Sequence, residues 1–245
     1  MSDEDGENML GTIINTGAIV AGGLIGMFGG RLIRERHQQT LTMACGVGTL
    51  FLGIAGAMNY MLHNDLLPDG GGMLVVACLA LGGLIGEIIN IESLFERFGE
   101  WLKQKTGNAK DQGFVNGFVT ASLTVCIGAM AIMGAIQDGI SGDWSTLGAK
   151  SILDLIIVMV MTCSLGKGCM FSAIPVFLWE GALTLLAASL RPVMTDLAMG
   201  YLSMIGSVLI FCVGVNLIWG KKIRVANLLP AVVLAVLAAF LPIQF

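Results

Sequence analysis

Residues 9–37 read MLGTIINTGAIVAGGLIGMFGGRLIRERH. An uncharged run of apolar and small residues ends abruptly at Arg31, Arg34 and Arg36. A helix needs roughly 20 such residues to cross the hydrocarbon core of a bilayer. Arginines clustered just beyond such a run mark a cytoplasmic flank. The stretch therefore reads as a membrane span followed by an inside loop.

The same grammar continues along the chain. Candidate spans fall at about 9–30, 40–62, 73–90, 114–136, 147–165, 169–190, 197–219 and 225–244. They take up most of the 245 residues, of which only 12% are charged; a soluble domain carries about 25%. Mean hydropathy is +0.84. The expected fold is all-α: a polytopic transmembrane helical bundle of about eight spans, forming a single integral membrane domain over 1–245. The lipid bilayer is its first partner. The start, MSDEDGEN, is acidic and has no basic segment before the first apolar run, so no signal peptide is read there.

The gaps between spans alternate in charge. The first holds Arg31, Arg34 and Arg36, the third Arg97, Lys103, Lys105 and Lys110, the fifth Lys167, and the seventh Lys221, Lys222 and Arg224. The second, HNDLLPDGGG (63–72), and the fourth, QDGISGDWS (137–145), hold aspartates and no lysine or arginine. Only Lys150 and Arg191 fall on the other side. The positive-inside rule makes the odd gaps cytoplasmic, and eight spans then put both termini outside. Within the third gap, ESLFERFGEWLKQK (92–105) repeats Leu94, Phe98, Trp101 and Leu102 at helical spacing. That pattern predicts an amphipathic helix on the cytoplasmic membrane surface; the alternative is a soluble connector packed on the bundle.

Gly22, Gly26 and Gly30 are spaced four apart, and the string GGLIG occurs at 22–26 and again at 82–86. Such spacing clears one stripe of a helix for close approach of another backbone. Gly22, Gly26, Gly30, Gly82 and Gly86 are therefore expected at helix packing faces, either within the protein or at a homodimer seam. The repeat, with GTLFLGIAGAM (48–58) beside TVCIGAMAIMGAI (124–136), hints at duplication of a two-span hairpin.

Ionisable groups within spans are costly, roughly 2.5–3.5 kcal/mol each near the centre on insertion scales, and mark function by default. Asp154 sits near the outer end of span five and Glu180 at the middle of span six. For Asp154 the alternative is a local pair with Lys150, four residues earlier. Glu180 has no basic residue within a turn, and Pro175 interrupts the helix before it. Gln137 and Asp138 close span four and read as an outer vestibule, with Asp143 and Ser145 as caps of span five. Asn15, Asn216 and Asn227 are amides that need partners in lipid. The six cysteines form no CxxC pair, and with the fifteen methionines they read as packing rather than copper ligands. No metal site, cofactor or catalytic residue is expected. HExxH, GxSxG and P-loop motifs are missing, so the chain is not read as an enzyme. The net charge of −4, with no basic block, gives no nucleic-acid surface.

Four strings resemble a known family: MLGTIINTGAIVAGGLIG (9–26), IGAMAIMGAIQDGISGDWSTLGAKSILD (127–154), FSAIPVFLWEGALTLLA (171–187) and GVNLIWGKKIRVANLLPA (214–231). They are similar to the bacterial inner-membrane proteins of the YqgA/YdfK type, a family labelled only as a domain of unknown function. The resemblance covers most of the chain. It implies a bacterial inner-membrane location and a polytopic fold, and supplies no activity. Gln137, Asp138 and Asp154 match its pattern, whereas Gln often stands in place of Glu180.

The expected function is a small secondary transporter or facilitator for a small solute or cation. Asp154, Asp138, Gln137, Glu180 and Asn15 would line its path. The rival is a non-transporting membrane scaffold whose glycine faces mate with other proteins.

Overall fold

A computed structural model of the protein describes residues 9–32, 35–62, 71–127 and 129–240. The acidic N-terminus and most of the 63–72 gap lie outside the described residues. Helices run in the order α1 (Leu10–Leu32), α2 (Glu35–Leu62), α3 (Gly72–Ile89), α4 (Ile91–Lys105), α5 (Phe114–Cys126), α6 (Ala129–Ser141) and α7 (Ser145–Leu165). A 3-10 turn, Lys167–Ser172, leads into α8 (Ala173–Leu185), followed by the single turn α9 (Ala187–Leu190) and by α10 (Asp196–Trp219). A second 3-10 turn, Val225–Leu228, leads into α11 (Pro230–Ala238). No strand occurs among the described residues.

Six segments are long and apolar enough to cross a membrane: Leu10–Gly30, Arg36–Leu62, Gly72–Ile89, Ser145–Leu165, Lys167–Leu185 and Asp196–Trp219. Helices α5 and α6 qualify together as a seventh, bent by 61° at the break between them. The eighth expected span, 225–244, corresponds to a shorter apolar segment, Val225–Ala238. Large apolar side chains such as Phe51, Met73, Ile88 and Leu185 are exposed on these helices. Lipid tails are as apolar as leucine, so such faces need no protein cover.

The chain forms two compact units interleaved in sequence. The first comprises Met1–Cys45, Glu96–Cys126 and Met130–Arg191, and the second Gly46–Phe95, Ile127–Ala129 and Pro192–Phe245.

Glycines set the first unit. A side chain built at Gly22, Gly26 or Gly30 would run into the backbone of Leu155, Met159 or Cys163 in turn. Both series rise together, so α1 and α7 are parallel and nearly touch along three turns. The Cys163 thiol donates to the Gly26 carbonyl at 3.2 Å across this seam. Gly113 and Gly117 lie against the Leu165 carbonyl, whereas Gly134 lies against Leu147. The α5–α6 pair thus travels from the end of α7 back to its start. It is a broken crossing, not a loop that re-enters on one side. Helix α4 keeps Leu94 and Trp101 exposed and buries Leu102. Within the first unit Phe98 stacks on Trp101 and meets Phe118 edge-on, each at 5.8 Å between ring centroids.

In the second unit α2 and α10 are antiparallel: Gly53 lies on Phe211, Gly56 on Ser207 and Gly214 on Leu50. Gly82 and Gly86 of α3 lie on Ala231 and on the Asn227 carbonyl. Helix α3 is therefore antiparallel to the Val225–Ala238 segment. Both GGLIG strings face backbone inside their own unit.

Candidate functional site

Helix α7 carries Lys150 and Asp154 at i,i+4, the spacing that puts two side chains on one face. They form a salt bridge with side chains 7% and 6% exposed. Helix α8 brings in Glu180, whose side chain is 1% exposed and whose Oε1 lies 3.3 Å from Lys150 Nζ. Opposite, Asn15 of α1 donates from Nδ2 to both Glu180 oxygens, at 2.9 and 3.1 Å. Asn15 also lies beside Asp154. Three helices thus enclose two carboxylates that share one ammonium. With all three groups ionised the cluster holds one excess negative charge in a place where unbalanced charge is expensive.

Polar contacts continue toward the start of α1. The Thr12 and Thr184 hydroxyls are 3.3 Å apart. Beyond them Asp138 Oδ2 accepts the Gly11 amide at 3.1 Å. Gly11 is in the first turn of α1, where amides lack intrahelical acceptors and the helix dipole favours an anion. Gly139 sits against the Thr184 carbonyl, which brings α6 close enough for Asp138 to reach. Thr12, Asn15, Asp138 and Glu180 are all closed to solvent.

Two oxygens in this ladder, Asn15 Oδ1 and Asp138 Oδ1, are buried without a hydrogen-bond partner. Most buried polar atoms have one, so each such exception needs an explanation. The break between α5 and α6 lies close by: Cys126, the last residue of α5, is near Lys150, Asp154 and Glu180. Interrupted helices beside intramembrane charges recur where transporters hold ions.

The structure brings Asn15, Asp154 and Glu180 together and places Asp138 at the far end of the ladder. Gln137 is turned elsewhere, its side-chain oxygen accepting the Thr146 hydroxyl at 2.7 Å. Three residues gain roles that the linear reading did not give them. Lys150 bridges both carboxylates instead of serving Asp154 alone. Thr12 and Thr184 link two helices. Their signal was spacing: Thr12 and Asn15 are i,i+3 on α1, and Glu180 and Thr184 are i,i+4 on α8. The caps of α7 differ from expectation. Asp143 Oδ1 accepts the Ser145 amide at 3.0 Å, but the residue preceding the helix is Trp144, with no side-chain cap. These bonds hold the Asp143 carboxyl below its usual range. Thr124 bonds its own helix, at the Thr120 carbonyl.

A second polar cluster lies in the second unit. Glu87 pairs with Arg224 and accepts from Asn227 Nδ2 at 2.6 Å. Asn227 Oδ1 accepts the Glu92 amide at 2.7 Å. Glu92 in turn takes the Ala226 amide at 3.1 Å and Lys221 at 2.9 Å. Asn216 folds the turn after α10, accepting from Lys222 and Ile223, each at 2.9 Å. Its bonds are local, not interhelical. Among the described residues no group of His, Cys, Asp and Glu side chains is arranged to hold a metal ion.

The chain is similar to two bacterial proteins along nearly its whole length. It is 30% identical over 232 residues to the uncharacterized membrane protein YdfK of Bacillus subtilis (strain 168), covering 95% of this chain and 96% of that protein. It is 29% identical over 231 residues to the uncharacterized protein YqgA of Escherichia coli (strain K12), covering 93% and 94%. No solved structure matches it. A family model described as "Protein of unknown function (DUF554)" matches residues 10–240, and with helices that fit a bilayer over that same stretch, the chain belongs to this family of membrane proteins.

Proposed function

We propose that the protein is a small secondary transporter or facilitator for a small cation or cation-coupled solute in the bacterial inner membrane, with both termini outside and no enzymatic activity. One observation carries this reading: a closed cluster in which Lys150 serves both Asp154 and Glu180. A bundle that only needed rigidity would gain more from apolar packing there, because replacing a buried ion pair by well-packed apolar residues is often neutral or stabilising. A charge deficit beside a broken helix is instead what a site for a passing cation requires. Asp154 acts as the coupling carboxylate, Glu180 and Asn15 line the site, and Asp138 stands at its outer approach.

The test is uptake into proteoliposomes over a panel of monovalent cations and small acids. Wild type is expected to respond to at least one, and Asp154→Asn to lose most of that flux. Equal flux from both on every responding substrate would remove Asp154 from the mechanism.

A scaffold is the second reading, favoured by the pairing of Asp154 with Lys150. Its glycine faces would have to be free for partners, yet Gly22, Gly26, Gly82 and Gly86 lie against backbone of their own units. This reading expects Asp154→Asn to change thermal stability in detergent with no flux in either protein.

A further inference from the structure

The facing stripes of α1 and α8 present an unusual set of atoms. Thr12 and Asn15 project from one helix, and Glu180 and Thr184 from the other; all four are closed to solvent. Every side-chain atom they leave available is an oxygen. The two threonine hydroxyls share a single hydrogen bond at 3.3 Å. The Asn15 amide nitrogen lies within donating distance of both Glu180 oxygens and also bonds Asp154, while its Oδ1 has nothing to accept from. Asp138 adds a second unpartnered acceptor, its Oδ1, at the next rung.

A missing donor can be a proton or a cation. One proton occupies one oxygen and offers itself to one more, so it leaves most of this set unserved. A hard cation attracts several neutral and charged oxygens at once, and carboxylate, carbonyl and hydroxyl oxygens suit ions of that class. With both acids ionised, Lys150 cancels one of the two carboxylates it faces, and the amide end of α1 partly offsets Asp138. One positive charge balances what remains, and a divalent ion would overshoot.

We propose that Thr12, Asn15, Glu180 and Thr184 form a binding site for one hard monovalent cation of the sodium or lithium class, entered past Asp138. The proposal deepens the transporter reading, since it names the ion that the same cluster takes. The Thr12–Thr184 contact is the inner edge of the entrance, and Lys150 is a tethered cation that holds the second carboxylate.

The test uses the purified full-length protein in detergent, at fixed pH and constant ionic strength, with NaCl replacing N-methyl-D-glucamine chloride. Thermal unfolding should shift upward with NaCl and saturate, because a ligand held only by the folded state stabilises it by mass action. LiCl should act similarly and KCl less. Thr184→Val keeps the side-chain volume and should raise the half-saturating NaCl concentration by about tenfold, the effect of one lost bond to a charged group. Asn15→Ala should do so by at least as much. Thr124→Val, which removes a hydroxyl bonded only within its own helix, should leave it unchanged. A Tm indifferent to NaCl, a response no different from that to the organic salt, a larger response to MgCl2, or a Thr184→Val protein that titrates as wild type would each overturn the site. Flux separates this from the broader reading. Saturable sodium binding without any flux sinks the transporter and leaves the site standing. Flux of another substrate with no sodium effect does the reverse.

Discussion

Two polar clusters, one in each unit, handle charge in opposite ways. In the first unit one lysine faces two carboxylates, with side chains only 1–7% exposed. In the second, Arg224 pairs with Glu87 and Lys221 with Glu92. Arg224 and Glu87 there are 62% and 53% exposed. The second cluster also turns its acids to structural use. Glu92 takes a backbone amide of the 3-10 turn, and Asn227 bridges both glutamates. It behaves as a clasp that holds Val225–Leu228 on α3. The first cluster joins three helices by side chains alone and, with all three groups ionised, is left one positive charge short. A half-exposed Arg224–Glu87 pair backed by bonds to backbone amides, set against a cluster of two acids and one lysine closed on every side, separates a fastening from a candidate binding site.

The largest expected effect breaks that contrast at its centre. Lys150→Met leaves Asp154 and Glu180 buried without a cation, at a cost of about 3–5 kcal/mol. The measurement is folded yield and thermal unfolding in detergent, and adding Asp154→Asn should recover part of the loss. Arg224→Met, its counterpart in the second unit, should cost no more than about 1 kcal/mol, as exposed pairs do. If the two substitutions prove equally damaging, the clusters are not of different kinds.

The packing beneath each cluster gives the next effect. Gly22→Val drives a side chain into the Leu155 carbonyl, and Gly86→Val does the same at Asn227. Overpacking typically costs about 1–3 kcal/mol. Thermal unfolding should register both, and only Gly22→Val should also disturb cation-dependent stability. Loss of that dependence in Gly86→Val would place the clasp in the mechanism.

Asn227→Ala sharpens the clasp itself. It removes bonds to Glu87 and to the Glu92 amide, leaving a buried donor unsatisfied at about 1–3 kcal/mol. Limited proteolysis should then cut near Val225–Leu228 sooner than in wild type; an unchanged pattern would mean that Asn227 does not fasten this turn.

The smallest effect lies at the entry to α7. Asp143 has its carboxyl lowered by the Ser145 hydroxyl and amide. A lowered carboxyl stabilises the fold above its ordinary range, and the contribution fades as pH falls through the lowered value. Asp143→Asn should therefore melt slightly below wild type near neutral pH and together with it in strong acid. A difference that grows toward acid would contradict the sign.

The linear sequence showed the helices well and their meetings poorly. The amphipathic segment at 92–105 and the apolar runs follow from periodicity and length, which are local. The break within 114–136 leaves no mark in the sequence, because TVCIGAMAIMGAI has the composition of an ordinary span. The Lys150–Asp154 pair was visible at i,i+4. The reach of Lys150 to Glu180 was not, since nothing in either helix specifies how it is turned toward the other.

The sequence by itself determined that the chain is a membrane protein of many helices and which of its loops carry the positive charge. Desolvation cost accumulates residue by residue, so the order of apolar and charged residues is enough to settle both. Only the tertiary structure decided which polar groups share a site. Asn15 and Glu180 are 165 positions apart, and they meet because glycines let α1 press against α7 in one register and one rotation. The charge count that gives the site its meaning exists only after that packing has brought one lysine between two acids.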